Sequence, residues 1–266
     1  METKEEIVYK VVFAYDGTAF SGFQSQAGKI GGLTIQDVLE QKLAKVFAEP
    51  VSIRVAGRTD AKVHALAQVL SFRTKVFRET EVVKRALNGM LPDSIRVYEV
   101  STEQPRFHAR FTARSREYEY LIKPNSSADP FFRDRIMFVG RPLDIEAMRK
   151  GAAFLIGSHD FASFGSQVPK GDPTIRRMES ISVNLCDCSG PGPFASLGAL
   201  VVKNIRANAF LRRMVRMICG CLIKTGTGEW PPEKIKEILD AADPQYCAPP
   251  ADPGGLYLKS VTYAQD

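Results

Sequence analysis

The stretch VSIRVAGRTDAKVHALAQVLSFR, residues 51–73, decides the fold. Val51, Ile53 and Val55 alternate as a short strand, and Gln68 to Arg73 reads as a second one. Between them Gly57 to His64 is polar and breaks the pattern. On the amino-terminal side, Thr34-Ile35-Gln36-Asp37 resembles a capping box. It leads a helical stripe of Ile35, Val38, Leu39, Leu43 and Val46. Before that, Ile7, Tyr9, Val11 and Phe13 alternate over residues 7–14 as a strand. On the carboxy-terminal side, Thr80 is expected to cap a helix that turns Val83, Ala86, Leu87 and Met90 inward. Ile95 to Val100 closes the set as a strand. The order is β-α-β-β-α-β, the split βαβ or ferredoxin-like unit.

The rest of the chain repeats the pattern without repeating the sequence. Ser115 to Ile122 alternates as a strand, and Asp144 caps a helix expected to run through Ile156. Ile175 to Leu185 and Leu197 to Ile205 read as strands around a Ser-Gly-Pro-Gly-Pro turn at 189–193. Ala207 to Lys224 is expected as a helix with Leu211, Met214, Val215, Ile218 and Leu222 on one face. Pro231 and Pro232 open another through Ala241, and Gly255 to Tyr263 ends the chain's pattern as a strand. The expected class is α+β: two ferredoxin-like halves, 1–104 and 105–266, joined through a central, mostly antiparallel sheet with helices on one face. No flexible linker marks the boundary near Glu103 to Pro105.

Composition bounds the function. The 266 residues are enough for one large domain or two small ones with a real core. At 44% hydrophobic and 25% charged residues, a wholly disordered or fibrous chain is excluded. The charged start Met1 to Glu6 is not a secretory signal. The longest apolar run of the basic carboxy-terminal half, Met217 to Ile223, falls far short of the ~20 residues a membrane helix needs. Five cysteines imply no disulfide framework. A cytoplasmic protein without a membrane segment is expected.

Positive charge is concentrated rather than spread. The net charge is +6, with 36 basic against 30 acidic residues. Arg54, Arg58, Lys62, Arg73, Lys75 and Arg78 face only Asp60 between Arg54 and Arg78. Lys203, Arg206, Arg212, Arg213, Arg216 and Lys224 have no acidic residue among them. Arg106, Arg110, Arg114, Arg116 and Lys123 are interleaved with Phe107, Phe111, Tyr118 and Tyr120. Three solvated faces would have this composition; so would one surface for a phosphate backbone, with rings that stack on bases.

The loop around Asp60 is where chemistry is expected. A polar loop held by two strands positions a reactive side chain well. Arg58 and Lys62 flank Asp60 and favour its ionised form, which can act as nucleophile or base. Asp also shapes turns, so the loop alone leaves both roles open. Other chemistries find little support. Cys186 with Cys188 and Cys219 with Cys221 lack a histidine at ligand spacing, so no metal site is expected. Gly226-Thr227-Gly228 lacks the Lys-Ser/Thr of a phosphate loop. No Gly-x-Ser-x-Gly is present.

Gly57-Arg58-Thr59-Asp60-Ala61 followed by Val63-His64-Ala65 resembles the signature of the tRNA pseudouridine synthase A (TruA) family. Further motifs run in family order: Tyr15-Asp16-Gly17-Thr18, Gly22-Phe23-Gln24 with Gln26, Leu87-Asn88 with Leu91-Pro92, Phe107-His108-Ala109-Arg110 and Tyr118-Glu119-Tyr120. Asp160-Phe161 with Ser163-Phe164, Phe210-Leu211 with Met214-Val215-Arg216, and Gly255-Leu256-Tyr257-Leu258 with Val261 to Tyr263 complete the series. The resemblance covers residues 15 to 263, nearly the whole chain.

What it implies is an isomerase that turns uridine into pseudouridine in the tRNA anticodon stem-loop, at positions 38 to 40. The C1′–N1 bond breaks, the ring turns, and C1′–C5 forms. No cofactor and no metal are implied, and the usual assembly is a homodimer. By the same resemblance, Asp60 is the catalytic carboxylate, either attacking the sugar or removing a sugar proton. Tyr118 stacks on the target base, Arg216 pairs with the aspartate, and Arg58 fills the space left by the flipped uridine. Leu256 lines the uracil pocket. Arg212 shares a helix face with Arg216 if both lie on the expected helix. Candidate tRNA contacts are Lys62, Arg78, Phe107, His108, Arg110, Lys170 and Arg212. Two positions depart from the family pattern: Lys62 stands where glycine is usual, and Phe23 where tryptophan is common. If residue 62 needs φ > 0, the lysine costs roughly 1–2 kcal/mol. The alternatives are a relative that binds RNA without catalysis, or one that modifies uridines in another RNA.

Overall fold

A computed structural model describes residues 6–25, 32–169, 171–188 and 197–264. The chain forms two units, Met1–Arg114 with Leu258–Asp266, and Ser115–Tyr257. The class is α+β, with mostly antiparallel strands and, among the described residues, five α-helices.

The first unit follows the expected order: β1 (Ile7–Tyr15), α1 (Ile35–Phe47), β2 (Arg54–Val55), β3 (His64–Thr74), α2 (Thr80–Met90) and β4 (Ile95–Glu103). β1 is central and antiparallel to both neighbours, with Val11 opposite Leu70 of β3 and Val100 of β4. β2 borders β3 through Arg54–Ser71 and Val55–Leu70. The final strand, β10 (Leu256–Tyr263), also lies beside β3. The alternation expected of β1 buries Tyr9, Val11 and Phe13 on one face. α1 covers that face. Thr34 caps it by accepting from the Asp37 N–H at 3.2 Å. Its buried stripe ends on Phe47 rather than on the expected Val46. Phe47 meets Tyr9 and Phe72 edge-on, with centroids 5.3 and 5.2 Å away. The larger ring fills the space between α1 and the sheet that Val46 would leave open. α2 buries Val83 and Leu87. Thr80 is its first helical residue rather than its cap, and Glu79 precedes it without a side-chain cap bond. Asn88 ties α2 to β4: its amide donates to the Val97 carbonyl and accepts from the Val97 N–H, both at 2.9 Å.

The second unit contains β5 (Ala113–Pro124), β6 (Met137–Val139), α3 (Ile145–Ala153), β7 (Gly157–Asp160), β8 (Ile175–Asp187), β9 (Ala199–Ala207), α4 (Met214–Gly226) and α5 (Lys234–Ala241). Its strand order is β5-β9-β8-β7, with β6 parallel to β5. So β5, β9 and β8 stand in the order of β1, β3 and β2 in the first unit. α3 is capped by Asp144, which accepts from the Ala147 N–H at 2.9 Å, and ends at Ala153 rather than Ile156. α4 is buried on nearly all sides, as its apolar run demands. Among the described residues, no helix is long and apolar enough to cross a membrane.

The main departure concerns the start of α4. Ala207 ends β9, paired with Arg116, and residues 208–213 are not helical. Asn208 is the reason. Its side-chain oxygen accepts from the Arg177 and Ala209 N–H groups at 2.9 Å each. Asparagine that bonds nearby backbone in this way competes with helix. The helix begins only after Arg213, which holds φ 61. Arg212 therefore lies ahead of α4, and it does not share a helix face with Arg216. Likewise Pro231 and Pro232 precede α5 through single-turn bonds, Lys234 N–H to Pro231 and Ile235 N–H to Pro232, and do not lie in it. The turn expected at 189–193 lies outside the described residues.

Candidate active site

In the first unit, the chain from Tyr15 to Phe23 wraps the β2–β3 loop and fixes its shape. The buried Tyr15 hydroxyl shares a hydrogen bond with Thr59 Oγ1 at 2.8 Å. Gln68 donates to the Gly57 carbonyl at 2.8 Å. The Phe23 N–H donates to the Thr59 carbonyl, and Val63 N–H to that of Asp60, at 3.1 and 3.2 Å. Two glycines allow this approach. A Cβ on Gly17 would sit 2.1 Å from the Val63 carbonyl oxygen, and one on Gly22 3.2 Å from the Ala61 nitrogen. Gly22 also holds φ +105. His64, at the loop's end, is buried; its Nδ1 accepts from the Gly17 N–H at 3.1 Å and lies 3.2 Å from Asp16. Burial pushes the Tyr15 hydroxyl up to about 12, so the network stays uncharged at this point.

Asp60 emerges half-buried from this clamp. Arg58 and Lys62 are exposed beside it. The Arg58 guanidinium is held below its ordinary value, first by partial burial and then by Arg110 and Arg54. These cations therefore lie close enough to add their fields near the loop. Lys62 has φ 65, in the left-handed region. The backbone at the position where the family pattern has glycine does take a positive φ, and lysine takes it too.

The Phe107–Phe111 segment divides into packing and display. Phe107 is half-buried against Tyr263, centroids 5.0 Å apart, over the core of Ala56, Val69 and Ala109. His108 stacks on Phe111 at 4.4 Å, tilted 35°. Its Nδ1 accepts from the Arg110 and Phe111 N–H groups at 3.1 and 3.3 Å. Burial, and then Arg54, Arg110 and Arg73, lower His108 below 6.5, against its own backbone hydrogen bond. Arg110 lies 5.5 Å over the Phe111 ring, which is 75% exposed. Phe111, rather than Phe107, is the ring presented to solvent. Arg78 sits at the opposite end of β3 from the Asp60 loop, about 34 Å along the strand. Its guanidinium leans on the Val46 and Phe77 carbonyls.

In the second unit, Tyr118 lies on β5 opposite Ile205, buried, with its ring edge-on to Phe210 at 5.1 Å. Tyr120, two residues on, donates to the Asp252 carbonyl at 2.6 Å. Arg216, on the first turn of α4, donates from Nε to the Ala251 carbonyl at 2.8 Å, and Ala251 N–H returns a bond to the Arg216 carbonyl at 3.0 Å. The segment at 251–252 therefore anchors both elements. Leu256, buried, opens β10. Arg212 reaches Gln167, and its carbonyl accepts from Ser166 N–H at 3.0 Å. Lys170 lies outside the described residues. The Asp160–Phe164 motif serves packing: Phe161 and Phe164 are fully buried, and Ser163 donates to the Ile238 carbonyl at 2.5 Å.

Sequence reasoning passed over the Tyr15–Thr59–Gln68 network, Phe210 as the partner of Tyr118, and Ala251 as the anchor of Arg216. Gln68, a polar residue opening the expected strand 68–73, was the one available signal. Among the described residues, no group of three or more His, Cys, Asp or Glu could hold a metal ion.

An α+β scaffold carrying a half-buried carboxylate loop among arginines is the setting for comparison with known proteins. A family model described as tRNA pseudouridine synthase matches residues 11–112 and 152–264. A tRNA pseudouridine synthase A of Janthinobacterium sp. (strain Marseille) is 41% identical over 94% of this chain and 89% of its own length. Proteins of the same name from Methylacidiphilum infernorum and Thermosipho africanus are 38% and 40% identical, over 97% and 96% of this chain and 96% and 99% of their own lengths. The chain belongs to the tRNA pseudouridine synthase family, whose members are isomerases acting on tRNA.

Proposed function

We propose that this protein isomerises uridine to pseudouridine in the tRNA anticodon stem-loop, at positions 38 to 40, with Asp60 as the essential carboxylate. The observation that carries the reading is the clamped β2–β3 loop. Asp60 projects half-buried from a backbone held by Gly17, Gly22, Thr59 and Gln68, with the fields of Arg54, Arg58 and Arg110 nearby. A carboxylate that must act on a sugar carbon gains from being preorganised, because its geometry is set before substrate arrives.

The target uridine is stacked inside the stem-loop and must be flipped out, at a cost of a few kcal/mol. In this reading Arg58 occupies the vacated space. Tyr118 stacks on the base, with Phe210 holding its ring, and Leu256 lines the uracil pocket. Arg216, steadied by Ala251, pairs with Asp60. Asp60 then serves at C1′ as nucleophile, or at the sugar as base, while the glycosidic bond breaks and the ring turns. The C5 proton leaves once C5 has bonded to the sugar. His108, Arg110, Phe111, Lys62, Arg78 and Arg212 contribute to the tRNA surface, Phe107 by packing beneath it and Lys170 by the family resemblance alone. A cytoplasmic homodimer completes the proposal, and light scattering of the purified protein tests its stoichiometry.

The decisive experiment is tritium release from [5-³H]uridine-labelled tRNA that lacks prior modification. Wild-type protein releases tritium, and Asp60→Asn does not while still binding tRNA. Release by Asp60→Asn at the wild-type rate would overturn the assignment.

A further inference from the structure

In the second unit, two cysteine side chains that the proposed reaction does not use touch. Cys221 lies on α4, and Cys247 follows the 3₁₀ turn Pro244–Tyr246. Their sulfurs are 3.3 Å apart, although 26 residues separate them in sequence. The surrounding backbone holds them there. Gly220 lets the Pro249 carbonyl against α4; a Cβ on it would sit 2.3 Å from that oxygen. The Ala248 N–H donates to Cys221 Sγ at 3.4 Å. The same segment runs on to Ala251, which bonds Arg216 in both directions.

We propose that Cys221 and Cys247 form a modification site, oxidised by a peroxide to a disulfide that ties the 247–251 segment to α4. Bond formation needs two sulfurs in reach, one of them as thiolate. Of the two, Cys221 is the thiol whose ionised form its surroundings favour. The hydrogen bond from Cys247, then the Ala248 N–H, Lys203 and Lys224, lower its thiol against opposing burial. Cys247 is raised, first by that same hydrogen bond and then by burial, so it keeps its proton. The neighbouring Cys219 is buried and pushed up to about 11, which leaves it an inert thiol. Cys221 is fully buried and Cys247 partly exposed, so a small oxidant suits the site better than a bulky one.

The steps balance. The Cys221 thiolate attacks one peroxide oxygen, giving the sulfenic acid and hydroxide. The Cys247 sulfur then displaces the sulfenic hydroxyl, which leaves as water with the Cys247 proton. The hydroxide takes up the proton that Cys221 gave up. Two thiols and one hydrogen peroxide thus yield one S–S bond and two waters.

The test treats the reduced, purified full chain with graded hydrogen peroxide, alkylates the remaining thiols, and reads intact mass and linked peptides. The expected result is a single Cys221–Cys247 peptide pair, two thiols lost of five, and reversal by dithiothreitol. A rise in Tm of about 5 °C or more should accompany it. Cys247→Ser, at a partly exposed position, should show neither change. Cys221→Ser should agree if it folds, and the Cys247 variant carries the control if it does not. Linkage through Cys186, Cys188 or Cys219, or oxygen added to single cysteines with no link, would overturn the proposal. No tRNA enters the assay, so its failure leaves the reading of Asp60 untouched.

Discussion

Replacing Lys62 by glycine separates what the backbone wants from what the side chain does. At φ 65 the residue is in the left-handed region, where an L side chain costs about 1–2 kcal/mol. Glycine removes that cost but gives back about 0.5–1 kcal/mol through the freer unfolded chain. The net expectation for Lys62→Gly is a gain of about 0.5–1 kcal/mol. In thermal unfolding that is about 1–2 °C. Lys62→Ala is the control, since it loses the ammonium group and keeps the strained backbone; its stability should stay near wild type. If Lys62 also touches a phosphate, both variants should flatten the salt dependence of tRNA binding by about one charge. Stability then tracks glycine alone, and the salt slope tracks the lost charge in both. Equal stability of the glycine and alanine variants in urea titrations would refute the strain argument. An unchanged salt slope in both would remove Lys62 from the tRNA surface.

Other expectations follow from particular contacts. Asn88→Ala deletes both bonds to Val97 and leaves backbone groups to find new partners; urea unfolding should show a loss of about 1–3 kcal/mol. Gly17→Ala drives a Cβ into the Val63 carbonyl at 2.1 Å, so the Asp60 loop must move; a loss of about 1–3 kcal/mol together with strongly reduced tritium release is expected, and normal kinetics would show that the clamp is dispensable. His108 is depressed below 6.5, chiefly by burial, so the unfolded chain takes up its proton first as pH falls. Its contribution to stability is therefore whole above about pH 6.5 and declines below it. An NMR titration should place the His108 midpoint below the ordinary value, and His108→Gln should flatten that part of the stability profile.

Much of the fold was legible because periodicity is a local property. The alternation of Tyr9, Val11 and Phe13, the Thr34 cap and the β-α-β-β-α-β order each follow from residues within a few positions of one another. The polar break at Gly57–His64 could likewise be picked out as a loop between two strands. Tertiary structure decided the rest through groups far apart in the chain. Asn208 stops α4 from starting early because its partner Arg177 is 31 residues away. Phe47 displaces Val46 because Tyr9 and Phe72 leave a ring-sized space. Phe107 turns inward and Phe111 outward because Tyr263, beyond the second unit in sequence, covers the first. Gly17 and Gly22 look like ordinary turn residues until the Asp60 loop lies against them. The pair Cys221 and Cys247 does not exist as a pair in the linear chain at all. Local pattern sets which face of an element is apolar. Which distant donor, ring or sulfur meets that face depends on packing, and short-range sequence does not encode it.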